Sequence, residues 1–168
     1  MQGVTHAEQG QRLETGASIT MKPIGVVHNH RKDPIDDDWD GVVSEIILAD
    51  GIGEAALTGL ETFSHVEVVF FFDRVDELDI TMGARHPRGN SDWPLTGIFA
   101  QRGKNRPNRL GVSTARIVGR DGRVLKVAGL DAIDGTPVLD LKPVMAEFLP
   151  RGEVSQPEWS HELMRAYW

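Results

Sequence analysis

The chain has 168 residues, a formal net charge of -7 and no cysteine. That length fits one domain able to bury its own core, and the missing thiols exclude disulfide frameworks, thiolate zinc sites and cysteine nucleophiles, in keeping with a reducing, cytoplasmic setting. No apolar run reaches the roughly 18 residues of a membrane span, and residues 1–20 contain no apolar signal core.

Residues 1–20 are polar and unpatterned and are expected to form a disordered arm outside the fold. From Met21 the sequence alternates as strands do: MKPIGVVHNH, then GVVSEIILAD after an Asp-rich loop, then HVEVVFFFD, with GEAALTGLETF predicted as a short helix between the last two. Residues 74–96 read as one long loop. GIFAQR, GVSTARIVGR and RVLKVAGLDAI read as three further strands, the last two joined at Asp121-Gly122, a favoured two-residue hairpin turn. TPVLDLKPV adds another extended run, and residues 151–168 read as a tail carrying a short helix. Strands that follow one another without helices between them predict a mainly β fold: a compact single-domain β-barrel over residues 21–150, with one or two short helices.

Charge is unevenly placed. Between Ala84 and Arg123 lie nine of the 18 Lys and Arg, against Asp92 and Asp121 alone. The densest part, QRGKNRPNRLGVS at 101–113, holds Arg102, Lys104, Arg106 and Arg109 with no acid. A basic island in an acidic chain suits a local anionic ligand, or a set of ion pairs with acidic neighbours.

Four motifs carry chemistry. Gly51, Gly53 and Ala56 form G-x-G-x-x-A after a predicted strand, with Asp73 about twenty residues on, the spacing of a dinucleotide-binding unit; the missing strand-helix alternation argues against a parallel sheet. His28 and His30 form H-x-H, a pair that suits a metal, but nothing points to a third ligand and solvated loop residues are expected instead. Ser64 and His65 are adjacent, which on a strand sends their side chains to opposite faces and disfavours a nucleophile-base pair, leaving His65 as a core histidine. Asp131, Asp134 and Asp140 surround a Gly-Thr-Pro turn in LDAIDGTPVLDLKPV, and with the Arg-rich turn at 101–113 they form either a pocket for a ligand of mixed charge or an ion-pair network.

GIFAQR, NRPNRLGVS and LDAIDGTPVLDLKP, in that order, resemble the motifs of the TrmO (YaeB-like, TsaA-like) family, G-x-F-A-T-R, R-P-N-P-[IL]-G-[LM]-S and L-D-x-x-D-G-T-P-[VI]-x-D-[IL]-K-P. IGVV, GLETFSHVEVVFFF and RHPRG fall where that family has I-G-x-I, G-L-x-x-F-S-H and R-P-P-R. The resemblance spans Lys22 to Pro143, with Arg109 standing where the family has proline. It implies a β-barrel that binds S-adenosylmethionine near the interface of a homodimer and methylates the N6 of threonylcarbamoyl-adenosine in tRNA. By motif, Asp73, Arg74, Arg102, Val112 and residues Ala128, Gly129, Leu130 and Asp131 would contact the cofactor. Arg85, Arg88, Arg106 and Asn108 would meet the acceptor, and Asp134 would serve as general base. No metal site is implied. A non-catalytic protein that keeps the S-adenosylmethionine pocket is the alternative.

Overall fold

A computed structural model describes Gly16 and residues 18–168; most of the expected N-terminal arm lies outside the described residues. Six strands close a barrel in the order β1-β2-β7-β6-β3-β8, every pair antiparallel. They are β1 (Gly25–His28), β2 (Val43–Leu48), β3 (His65–Phe71), β6 (Leu110–Asp121), β7 (Val124–Ala128) and β8 (Pro137–Pro143). Two short strands, β4 (Ala84–Arg85) and β5 (Thr96–Gly97), pair with each other outside it. The predicted mainly β barrel is therefore the fold, and closure leaves its sheet without an open edge.

Alternation along the strands fills the barrel. Ser44, Ile46 and Leu48 on β2, Val66, Val68 and Phe70 on β3, and Leu125 and Val127 on β7 point inward and are buried. Val27, Ala115, Leu130 and Val138 complete the same core. Each large apolar side chain contributes about 1.5–3 kcal/mol on burial. Two glycines are dictated by this packing. A Cβ on Gly25 would sit 2.6 Å from the Ile47 carbonyl oxygen, and one on Gly111 would sit 2.3 Å from the ring of Phe70, its partner across β3 and β6.

Several expectations change. GEAALTGLETF forms no α-helix: it makes two 3-10 turns, Glu54–Leu57 and Leu60–Thr62, because Thr58 is extended and Gly59 turns left-handed at φ 88°. Strands β2 and β3 are not neighbours and no pair is parallel, so the G-x-G-x-x-A segment opens no dinucleotide-binding unit. GIFAQR is not a strand either: β5 ends at Gly97, and Ile98–Ala100 is a 3-10 turn that buries Ile98. The β6-β7 hairpin pairs Asp121 with Val124, so its two turn residues are Gly122 and Arg123, with Gly122 at φ 54°. The long loop 74–96 contains β4 and two 3-10 turns.

After β8 the chain reaches α1 (Glu158–Leu163) and then returns to the barrel. The amide of Asp38 donates to the Ala166 carbonyl and that of Trp39 to the Tyr167 carbonyl, both at 2.9 Å. The indole of Trp93 donates to Glu162 at 2.8 Å, and its ring lies 6.5 Å from that of Trp159. Among the described residues no helix is long and apolar enough to cross a membrane.

Candidate functional site

The loops after β5 and β7 bring the acid cluster and the base cluster together at one point, Asp131 and Arg102. Ala132 and Leu130 bury their side chains in the core on either side of Asp131. This alternation turns Asp131 the other way, onto Ser113 of β6 and onto Tyr167, whose hydroxyl donates to Asp131 Oδ2 at 2.5 Å. Asp131 Oδ1 is buried and has no hydrogen-bond partner. Burial pushes the Asp131 carboxyl above its ordinary value, against the opposing pull of Tyr167, Ser113 and the charge of Arg102. Arg102 donates to the carbonyl of Val112, which ties the loop 101–109 to the start of β6.

Around this pair the other expected residues fall into two groups. Val112 is half exposed on β6, Gly129 turns left-handed at φ 73° with Trp168 beside it, and Leu130, fully buried, has only its main chain to offer a ligand. Arg74 lies further along: it donates to the Lys32 carbonyl at 2.9 Å and the Asp134 carbonyl at 3.0 Å, pinning two loops, and Asp73 beside it is exposed.

Asp134 sits in a different environment from Asp131. Its Oδ1 accepts from the Asn29 amide at 3.1 Å and from His28 Nδ1 at 2.9 Å, and Lys32 lies 3.8 Å from Oδ2. The Asn29 amide, followed by His28 and Lys32, holds its carboxyl below the usual range. His28 of the H-x-H pair is thus engaged with a carboxylate, and among the described residues no three or more acidic or histidine side chains are grouped to hold a metal ion. Asp140 pairs with Lys142 at 2.6 Å, apart from both.

The basic island is mostly spent on the protein itself. Arg106 donates to the Gln101 carbonyl at 3.0 Å, and Arg109 donates to the Val75 carbonyl at 2.8 Å with its guanidinium 4.7 Å over the Phe71 ring. Arg88 is held by Asp37 through two bonds of 2.7 and 3.0 Å, with Asp36 close by. Arg85 makes no ion pair or hydrogen bond through its side chain among the described residues, and its Nε is buried without a partner. Three non-glycine residues here, Arg88, Asn108 and Arg109, have left-handed backbone at φ 50°, 62° and 50°, a local cost paid where loops shape a site.

Sequence reasoning missed two contributors, Tyr167 and Gln101, and misread one contact outside the cluster, Ser64 with His65. Tyr167 stands 36 residues beyond Asp131 in a polar tail with no motif around it. Gln101, buried, donates to the carbonyls of Arg85 and Thr96 at 2.9 and 2.7 Å and so fastens β4 and β5 to the Arg102 loop. Ser64 Oγ and His65 Nδ1 lie 2.8 Å apart, contrary to the opposite-face expectation, because Ser64 precedes β3 and the strand alternation starts only at His65, which is half-buried and not in the core. Two surface recesses lie elsewhere: one of about 610 Å³ bordered by Ile52, Leu60 and Phe63, and one of about 350 Å³ bordered by Glu67, Met145 and Phe148.

The geometry can be set beside known proteins. A family model described as the tRNA-methyltransferase O N-terminal domain matches residues 27–148. A rat protein named tRNA (adenine(37)-N6)-methyltransferase is 36% identical over 113 residues, 67% of this chain and 26% of the relative, so the chain spans about a quarter of that protein's length. A Pyrococcus abyssi protein, named as a probable S-adenosyl-L-methionine-binding protein, is 33% identical over 144 residues, 81% of this chain and 73% of the relative. The crystal structure of TrmO from Pseudomonas aeruginosa is similar with a TM-score of 0.67 at 26% identity, covering 83% of this chain and 61% of that one. With a barrel of the same architecture and a family match over most of its length, the chain belongs to the TrmO N-terminal domain family.

Proposed function

We propose that this chain binds S-adenosylmethionine in the loop cluster around Arg102 and Asp131 and is a methyltransferase acting on the N6 of threonylcarbamoyl-adenosine in tRNA, or on a related acceptor. The observation that carries the reading is a buried carboxylate oxygen without a protein partner, Asp131 Oδ1, on a carboxyl that feels the charge of Arg102. A ligand with a carboxylate, an ammonium group and ribose hydroxyls needs both an acid and a base in one place, and these two residues supply them. When bound, S-adenosylmethionine supplies an electrophilic methyl group on a sulfonium. Arg102 faces its carboxylate, Asp131 accepts from an ammonium or a hydroxyl, and Val112 with the main chain of Ala128, Gly129 and Leu130 lines the adenosine. Asp73 and Arg74 are assigned to the cofactor by the motif resemblance, on the Asp134 side of these loops.

On the acceptor side, Arg85 is the cation left available for an RNA phosphate, and Asn108 is exposed in the loop before β6. Arg106 and Arg88 shape that side through their protein partners. Methyl transfer depends chiefly on alignment, and the Asp134 carboxylate, the candidate general base, is already engaged by the Asn29 amide, His28 and Lys32. We assign Asp134 the anchoring of the loop 28–32. Leu95, Phe99 and Val112 are exposed apolar side chains on the strands and loops around Arg102, which supports a homodimer whose second copy covers this side. A cytoplasmic location accords with the absence of cysteine.

A second reading, binding of S-adenosylmethionine without methyl transfer, is favoured by Arg88, Arg106 and Arg109 being engaged with the protein. Calorimetric titration with S-adenosylmethionine, followed by transfer of labelled methyl to total tRNA, separates the two. Binding with transfer is the expected result; binding without transfer leaves the second reading, and no binding overturns both.

A further inference from the structure

The C-terminal segment has no part in the motifs that define the site, yet it ends on the site's central carboxylate. Four hydrogen bonds seat it there: the main-chain bonds from Asp38 and Trp39 to Ala166 and Tyr167, the bond from Trp93 to Glu162, and the bond from the Tyr167 hydroxyl to Asp131 Oδ2. The seat is itself firm, since Trp39 is 4% exposed and carries the Arg31 guanidinium 4.4 Å over its ring. Trp168 packs edge-on against Tyr167 and reaches Gly129. We propose that Tyr167 is a positioning residue of the cofactor pocket: its hydroxyl fixes Asp131 by Oδ2, so that Oδ1, buried and unpartnered, is presented to a donor group of the ligand. The inference rests on the reading of this cluster as an S-adenosylmethionine site.

The chemistry is specific to a phenol at that position. Asp131 is largely removed from water, and an ionised carboxylate there needs donors. Tyr167 donates to Oδ2 and Ser113 lies against the carboxyl, while Oδ1 itself is without a bonded partner, so a ligand ammonium or hydroxyl completes the set. The groups that face the pair are Arg102 from the loop before β6, Ser113 on β6, and Asp36 from the loop after β1. Burial and the Asp131 charge both push the Tyr167 hydroxyl upward, so it stays protonated and remains the donor. Without that hydroxyl, the same burial acts on a less stabilised carboxylate, and its titration moves to higher pH.

The test uses the full chain and Tyr167→Phe, which keeps the ring and its packing. The Asp131 carboxyl is titrated by 13C NMR in the absence of cofactor, and affinity for S-adenosylmethionine is measured across the acid range by calorimetry. The midpoint should rise in the variant, and the acid limb of the affinity curve should move with it, adding up to about tenfold loss of affinity per pH unit of displacement on that limb. Asp131→Asn should abolish the acid limb. An unmoved carboxyl midpoint would overturn the proposal, and so would an affinity loss equal at every pH, the mark of a merely structural tyrosine. Failure of the wild type to bind would overturn the cofactor reading instead, and is told apart because the carboxyl titration is read without cofactor.

Discussion

Asp131 and Asp134 are three residues apart in one motif and have opposite electrostatics. Asp134 receives the Asn29 amide and is reached by His28 and Lys32, so its carboxyl is lowered; Asp131 is buried with one oxygen unpartnered, so its carboxyl is raised. The sign of each effect on stability follows. A lowered folded-state value means that Asp134 stabilises the fold above the unfolded carboxylate range and loses that contribution as pH falls through its folded value. A raised value means that Asp131 opposes folding at neutral pH. Asp134→Asn should therefore lower Tm at pH 7 and lose this deficit on acidification, in thermal melts across the acid range; a deficit independent of pH would refute the role. Arg109 makes a related point about backbone: at φ 50° it occupies a conformation that the ring of proline, locked near about -65°, cannot adopt. The change from the family's proline thus alters the loop itself, and the new side chain ties that loop to Val75 and Phe71.

Among the elements, the strands with sustained alternation were legible and the short ones were not. HVEVVFFF and GVSTARIVGR pair along nearly their whole length as β3 and β6, because inward Val and Phe on β3 and the small inward Gly111, Ser113 and Ala115 on β6 repeat with period two. GIFAQR has the composition of a strand, but only its first residue, Gly97, pairs, and the rest turns to bury Ile98 and lead Arg102 toward β6. The helix expected at 53–63 failed for a similar local reason, since Gly59 interrupts it after one turn. At the level of β3 and β6 the tightest constraint is Gly111 under Phe70. Gly111→Ala forces either the ring or both strands to move, and should cost about 1–3 kcal/mol, read as a fall in denaturant midpoint with little change in m-value. An unchanged midpoint would mean that the barrel relaxes there freely.

On the scale of the molecule, the basic island in an acidic chain resolves into loop ties plus a small number of available cations. Arg106 and Arg109 hold the 101–109 loop, Arg88 neutralises the Asp36-Asp37 turn, and Arg102 belongs to the Asp131 site. Arg85 is the one of the four expected acceptor-side residues whose cation is left without a protein partner among the described residues. Arg85→Ala should accordingly weaken tRNA binding and reduce its salt slope by about one, whereas Arg88→Ala should leave the slope unchanged and lower Tm slightly, because it removes an exposed ion pair. Equal salt slopes in the two variants would show that the partnering of Arg88 does not govern its availability.

What the sequence by itself determined is the barrel, through period-two alternation and the scarcity of helix, and the identity of the chemical segments, through their order of motifs. Both are local or linear properties, written in neighbouring residues. What only the tertiary structure decided is which charges are free and which are spent, and that a tyrosine from the tail bonds Asp131. Partnering depends on contacts across 36 residues for Asp131 with Tyr167, and across 51 for Arg88 with Asp37. Such contacts leave no periodic or compositional trace, because they are created only when barrel closure brings the loops to the same end.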